Sequence, residues 1–272
     1  MSASVVRRLA LMACMAILPH AAFAQQPLAQ SPPTSATPVD LNVVGDLVAA
    51  NLILADQQVL DAFGHVSVRH PANPQRFLMG RNLAPALVTA NDIVEYDLEG
   101  VPHGAKTDFT HFLERFIHAE IYRARPDVNA VVHSHSPAVI PFANTQVKLQ
   151  PMYHVSQFLS SGVPVFDIKQ VAGGPTNMLV GNGKLGKSLA DMLGQNAVVL
   201  MRGHGNVVVA TTLPLLVFRA VYTDANARMQ SQAIALGGPI TFLDADESAQ
   251  AAKVIDQIHT RAWDLWKRKF TR

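Results

Sequence analysis

Four side chains in this sequence have the chemistry to share a metal ion. His133 and His135 lie in Val131-Val132-His133-Ser134-His135-Ser136, and His204 lies in Arg202-Gly203-His204-Gly205-Asn206. Glu114 lies upstream, in Leu113-Glu114-Arg115-Phe116-Ile117-His118. Along a β-branched run the side chains alternate between faces, so His133 and His135 point to the same side of a strand. Two neighbouring imidazoles repel if both are protonated, and a shared divalent cation removes the conflict. Glycines on either side of His204 leave its ring and backbone free to approach such an ion. Glu114 sits in an amphipathic helical pattern, separated from the His-x-His run only by Pro126 and a short turn, so its carboxylate can reach back over the strand. Three imidazoles and a carboxylate suit one zinc, manganese, cobalt or iron ion per subunit, and the donor set does not choose among them.

The elements that must position these groups alternate between helical and strand periodicity. Asp40 is placed to cap a helix over 41–55, with apolar residues at Val43, Val44, Leu47, Val48 and Leu52. Strands are predicted over 65–69 and 77–79, joined by a turn at 71–74, and again over 93–98. A helix starting at Asp108 or Thr110 should run to Arg125 and stop before Pro126. A buried strand over 129–135 follows, with further strands over 163–168, 197–201 and 205–210 and a helix over 185–193. Long periodic helices over 213–236 and 245–270 close the chain. Such alternation excludes all-α and all-β folds and indicates an α/β domain.

Composition sets the surroundings. Arg7 and Arg8, the apolar stretch over 9–18 and the Ala22-Phe23-Ala24 ending read as a secretory signal peptide over 1–24. The apolar run falls short of the ~20 residues of a membrane span. Cys14 comes too soon after Arg8 for lipoprotein processing. The polar, proline-rich 25–40 reads as a flexible linker, and 41–272 is long enough for one well-buried domain. Cleavage after Ala24 removes two of the 22 basic residues and none of the 20 acidic ones, leaving 20 of each. It also removes the single cysteine, so disulfides, thiolate ligands and a cysteine nucleophile are excluded. Balanced charge gives no reason to expect nucleic acid as a partner. The expected location is periplasmic or secreted, with no membrane contact after cleavage.

The run from Arg115 through Arg125-Pro126-Asp127-Val128-Asn129-Ala130-Val131-Val132-His133-Ser134-His135, with Gly203-His204-Gly205 downstream, resembles the class II aldolase/adducin family. The likeness extends from about Val43 to Leu236 and includes Gly64-His65-Val66-Ser67-Val68-Arg69. The resemblance implies a three-layer α/β/α domain with a central mixed or antiparallel sheet. It implies a divalent metal on His133, His135 and His204, with Glu114 as a ligand that can swing off as acid or base. It also implies a homotetramer with sites near subunit interfaces.

Cleaving a carbon–carbon bond beside a carbonyl leaves an electron pair that a chelated cation can stabilise as an enolate, while Glu114 moves a proton. Aldol cleavage and decarboxylation of a hydroxy-aromatic acid use the same electron sink, and both are lyase reactions. Family members that act on phosphorylated sugars hold the phosphate with small polar residues, whereas here His65 follows Gly64 and Phe112-Leu113 precede Glu114. Apolar side chains cannot donate to phosphate, which points to a small unphosphorylated hydroxy-carbonyl or hydroxy-aromatic acid. His65, Arg81 and Arg202 are the candidate substrate contacts, the arginines by bidentate pairing with a carboxylate. His118, one turn from Glu114, either supports the site or packs in the helix. A sugar-phosphate aldolase or epimerase, a non-catalytic adducin-like assembly module and a metal-using oxygenase are the alternatives.

Overall fold

Apolar side chains on both faces of nearly every strand set the architecture, because a sheet buried on two sides needs a helical layer on each. The computed structural model describes residues 39–104 and 108–270, all within the unit spanning 33–272. The expected signal peptide and all but the last two residues of the expected linker lie outside the described residues.

The helices are α1 (Leu41–Asp56), α2 (Arg115–Ala124), α3 (Ile140–Asn144), α4 (Ile168–Ala172), α5 (Gly183–Leu193), α6 (Leu213–Leu236), α7 (Ala245–Ile258) and α8 (Thr260–Lys267). The strands are β1 (His65–Arg69), β2 (Arg76–Gly80), β3 (Ile93–Asp97), β4 (Pro102–His103), β5 (Ala130–Ser134), β6 (Val165–Phe166), β7 (Val198–Met201) and β8 (Gly205–Ala210). Among the described residues they form one eight-stranded sheet in the order β4-β3-β2-β1-β5-β8-β7-β6. Every pairing is antiparallel except β6 with β7.

Alternation sorts the strand residues into two cores. Val66, Leu78, Ala130, Val132, Leu200 and Val208 pack with residues of α1, α6 and α8. Phe77, Met79, Tyr96, Val131, Val199, Val207 and Val209 pack with residues of α2 and α5. The sheet is therefore the middle of three layers, as the resemblance implies. Asp40 caps α1 through a 2.9 Å hydrogen bond from the Asn42 N–H. The spacing of Leu47, Ala50, Ile53 and Leu54 gives that helix its buried face.

The structure corrects four expected boundaries. The helix expected from Asp108 or Thr110 begins only at Arg115. In a continuous helix the Thr110 carbonyl would accept from the Glu114 N–H, but it accepts from the Asn82 N–H at 2.8 Å instead. Glu114 thus sits at the helix cap, not inside the helix. The strand over 129–135 ends at Ser134, so His135 lies just past it. The strand over 163–168 shortens to two residues because Asp167 accepts from the Lys169 N–H and starts α4. The helix over 245–270 breaks at His259 into α7 and α8, and the second piece turns Trp263 and Trp266 into the core.

Candidate metal centre

His133 is the penultimate residue of β5, cross-strand from His65 in β1 and from Val207 in β8. His135 follows the strand end. His204 rides on the tight turn between β7 and β8, where Met201 pairs with Gly205. Gly203 takes φ +66°, which a side chain would strain, and a Cβ on Gly205 would lie 2.1 Å from the Ser134 carbonyl oxygen. These glycines let the His204 turn press against the end of the strand that carries the other two histidines.

The result is a tight convergence. His135 Nε2 lies 3.0 Å from His133 Nε2 and 3.0 Å from His204 Nε2. Glu114 Oε2 lies 3.5 Å from each of His133 Nε2 and His204 Nε2. All four ligand atoms fall within 4.8 Å of one another. Two ligands at roughly 2.0–2.1 Å from a tetrahedral ion would stand about 3.3 Å apart. The four separations of 3.0 and 3.5 Å bracket that spacing.

The outer hydrogen bonds show which way the lone pairs face. His133 Nδ1 donates to the Asn206 carbonyl at 3.1 Å, and His204 Nδ1 donates to the Met178 carbonyl at 2.8 Å. In the neutral rings both Nε2 atoms therefore bring a lone pair and no proton to the centre. A single proton on His135 Nε2 cannot serve both 3.0 Å contacts well, whereas one cation satisfies every ligand. Met178 holds its carbonyl in place at φ +69°, unusual for a residue with a side chain. Two residues on, the Val180 N–H donates to Glu114 Oε1 at 2.9 Å, so the segment between α4 and α5 fixes two of the four ligands.

Burial holds the His133 imidazole neutral, its pKa lowered to about 3 with help from the charges of His204 and His135 and against the pull of Glu114. Burial also lowers His135, assisted by His204 and opposed by Glu114 and Asp61. For Glu114, burial alone would raise the pKa; the charge of His133, the hydrogen bond and charge of His204 and the Val180 N–H hold it down, to about 2. The carboxylate is anionic at neutral pH, as a metal ligand or a base must be.

The other predicted residues are placed differently. His65 is buried, with its ring 5.2 Å from His133 and 4.5 Å from Phe112. His118 is fully buried and bonds to His65 and Ser67, not to Glu114. Arg81 pairs with Asp92 at 2.7 Å and lies over the Phe109 ring. Arg202 pairs with Asp167 at 2.8 Å. Each guanidinium already pairs with an aspartate, so either would meet a substrate carboxylate in competition with that partner. Sequence reasoning missed Asn206, Met178 and Val180, because a backbone carbonyl or N–H that orients a ligand leaves no side-chain signature. It also missed Phe63, an exposed ring whose centroid is 6.1 Å from that of His135.

The family model described as the class II aldolase and adducin N-terminal domain matches residues 45–231. The chain belongs to that family. Decarboxylase tropJ of Talaromyces stipitatus is 37% identical over 238 residues, which cover 80% of this chain and 90% of that protein. A 3,4-dihydroxyphthalate decarboxylase of Arthrobacter keyseri is 28% identical, covering 81% of this chain and 89% of its own length. Among solved structures, an L-fuculose 1-phosphate aldolase from Glaciozyma antarctica superposes with a TM-score of 0.69 at 26% identity, covering 88% of this chain and 92% of that one. The fold is that of the class II aldolases, and the cluster of three histidines and a glutamate has the donors to hold a divalent ion.

Proposed function

We propose that this protein is a divalent-metal-dependent carboxy-lyase that removes carbon dioxide from a small hydroxylated aromatic acid. The convergence of Glu114 Oε2 and three imidazole nitrogens within 4.8 Å carries the reading. Its likeness to decarboxylases over four-fifths of the chain supports decarboxylation over aldol cleavage. The wall beside the ligands, where His65 lies against Phe112, supports a flat aromatic substrate over a sugar phosphate.

His133, His135 and His204 would hold the ion, which when bound supplies a Lewis acid to oxygens of the substrate. Glu114, anionic and held by the Val180 N–H, is placed to take the proton of a substrate hydroxyl and return it to the ring carbon that bears the carboxylate. That carbon–carboxylate bond then breaks, its electron pair returns to the ring, and carbon dioxide departs. One proton from solvent restores the phenol and closes the balance. Glu114 is the one carboxylate of the cluster, which makes it the group proposed to carry this proton.

We place the protein in the periplasm or outside the cell, on the strength of residues 1–24. We also place it in a homotetramer, where the exposed Phe63 and Leu113 beside the site would meet a neighbouring copy. No helix among the described residues is long and apolar enough to cross a membrane.

The test is a panel of hydroxylated aromatic acids and phosphorylated sugars, incubated with the purified protein and added manganese, zinc or cobalt. Carbon dioxide release from a hydroxylated aromatic acid, abolished by chelation, is the expected result. Cleavage of sugar phosphates alone, or turnover indifferent to chelation, would overturn it.

A further inference from the structure

A chain of hydrogen bonds runs up to the ligands, and the reaction outlined above makes no use of it. His65 and Ser67 stand two residues apart on β1, so their side chains share a face. His118 and Tyr122 stand one turn apart on α2, which packs over that face. His65 Nδ1 is 2.6 Å from His118 Nε2, His118 Nδ1 is 2.6 Å from Ser67 Oγ, and Ser67 Oγ is 2.7 Å from the Tyr122 hydroxyl. None of the four residues is more than 4% exposed.

The far end of this chain decides where every proton sits. Among the described residues the Tyr122 hydroxyl has one partner, Ser67 Oγ, so its proton goes there. Ser67 then directs its own proton to its other neighbour, His118 Nδ1. An imidazole that accepts at Nδ1 carries its proton on Nε2, so His118 donates from Nε2 to His65 Nδ1. His65 accepts there and must in turn carry its proton on its own Nε2. The reverse order would strand the buried Tyr122 proton without an acceptor, and an unpaired buried donor is the costlier arrangement.

This proton position has a consequence at the metal centre. A protonated Nε2 has no lone pair to give, so His65 cannot be a fourth imidazole ligand although its ring is 5.2 Å from that of His133. The same N–H has no acceptor among the described residues, and although the side chain is only 4% exposed, Nε2 is not one of the fully enclosed unpartnered polar atoms, so an incoming group can reach it. An unspent donor beside a cation site calls for an acceptor that arrives with the substrate.

We infer that His65 is a substrate-binding donor, presenting Nε2–H to an anionic oxygen of the acid bound at Glu114, His133, His135 and His204, and that His118, Ser67 and Tyr122 are positioning residues that fix its tautomer. The carboxylate and the phenolate of a hydroxylated aromatic acid share the required chemistry. The inference rests on reading the cluster as a lyase site, but the tautomer itself can be measured without any substrate.

The experiment uses full-length protein labelled with 15N in its histidines, metal-free and zinc-loaded, and long-range 1H–15N correlation spectra that report each ring's tautomer. The His65 signals are assigned by their loss in His65→Gln. One tautomer, protonated at Nε2, is expected in both states. In Tyr122→Phe, or in Ser67→Ala if the first variant folds poorly, that single tautomer should give way to a mixture while zinc content stays at the native level. A His65 protonated on Nδ1, or a tautomer indifferent to both substitutions, would overturn the positioning chain. For the substrate contact, His65→Leu should keep its zinc and lose about 10²-fold in kcat, the usual cost of removing one donor to a developing anion. His65→Gln, which keeps an N–H near the same point, should recover part of that loss. Unchanged kcat in His65→Leu would remove the substrate role. Failure of the lyase reading would instead appear as a protein that holds no metal and releases no carbon dioxide, whatever the tautomer of His65.

Discussion

Replacing Gly205 by alanine should pull the metal centre apart without touching a ligand. The added Cβ would lie 2.1 Å from the Ser134 carbonyl oxygen and 3.2 Å from the Cα of His135, whereas ordinary contact begins at 3.4 Å. The turn carrying His204 must therefore retreat by up to 1.3 Å from the strand end carrying His133 and His135. The Nε2 atoms of His204 and His135 now stand 3.0 Å apart. A retreat of that size takes them past the spacing of about 3.3 Å that a tetrahedral ion requires. Overpacking of this kind costs about 1–3 kcal/mol, and displaced ligand support typically costs 10–100-fold in metal affinity. For a domain of this length the stability loss corresponds to roughly 2–12 °C in Tm. Gly45 is the control: it is exposed on α1, a Cβ there meets nothing within 4 Å, and alanine should leave Tm unchanged or raise it. Calorimetry of the metal-free proteins and chelator competition for zinc measure the two effects separately. If Gly205→Ala bound zinc with native affinity, the close approach of the two strand ends would not be what builds the site.

Three further outcomes follow from the geometry. Glu114→Gln keeps an acceptor for the Val180 N–H but loses the anion, so it should retain part of its metal by elemental analysis while turnover falls at least about 10²-fold. His133→Ala, by contrast, should lose both. Acid should destabilise the metal-free protein early. His118 and His133 are held near pKa 3 when folded but titrate near the ordinary imidazole value of about 6.5 when unfolded, so the unfolded chain binds more protons as pH falls below 6.5. The stability present above pH 6.5 is then lost toward pH 3, by up to about 1.4 kcal/mol per pH unit for each histidine. Urea midpoints that stay flat between pH 7 and pH 4 would contradict it. Finally, buried Arg69 donates to the carbonyls of Val128, Pro74, Tyr122 and Arg125. Arg69→Met strips all four, and a loss of about 3 kcal/mol or more is expected in equilibrium unfolding, with metal affinity little changed.

What the sequence determined by itself is local. Alternation fixed the face of His133, glycines on either side marked His204 as able to approach, and Asp40 marked the start of α1. Helix and strand periodicity gave the α/β class, and the motifs gave the family. Side-chain type and spacing were sufficient for these because each depends on interactions within a few residues. The tertiary structure decided the rest. Glu114 became a cap residue because Asn82, thirty-two positions earlier, claims the Thr110 carbonyl. Arg81 and Arg202, read from sequence as free to meet a carboxylate, have aspartates from elsewhere in the chain within 3 Å. His65 was legible as a residue near the substrate, but its tautomer depends on a hydroxyl on α2 that only packing brings within reach. The carbonyls of Asn206 and Met178, which aim two imidazoles, belong to residues whose side chains carry no sign of the task, since every residue offers the same carbonyl and only the fold chooses which is used.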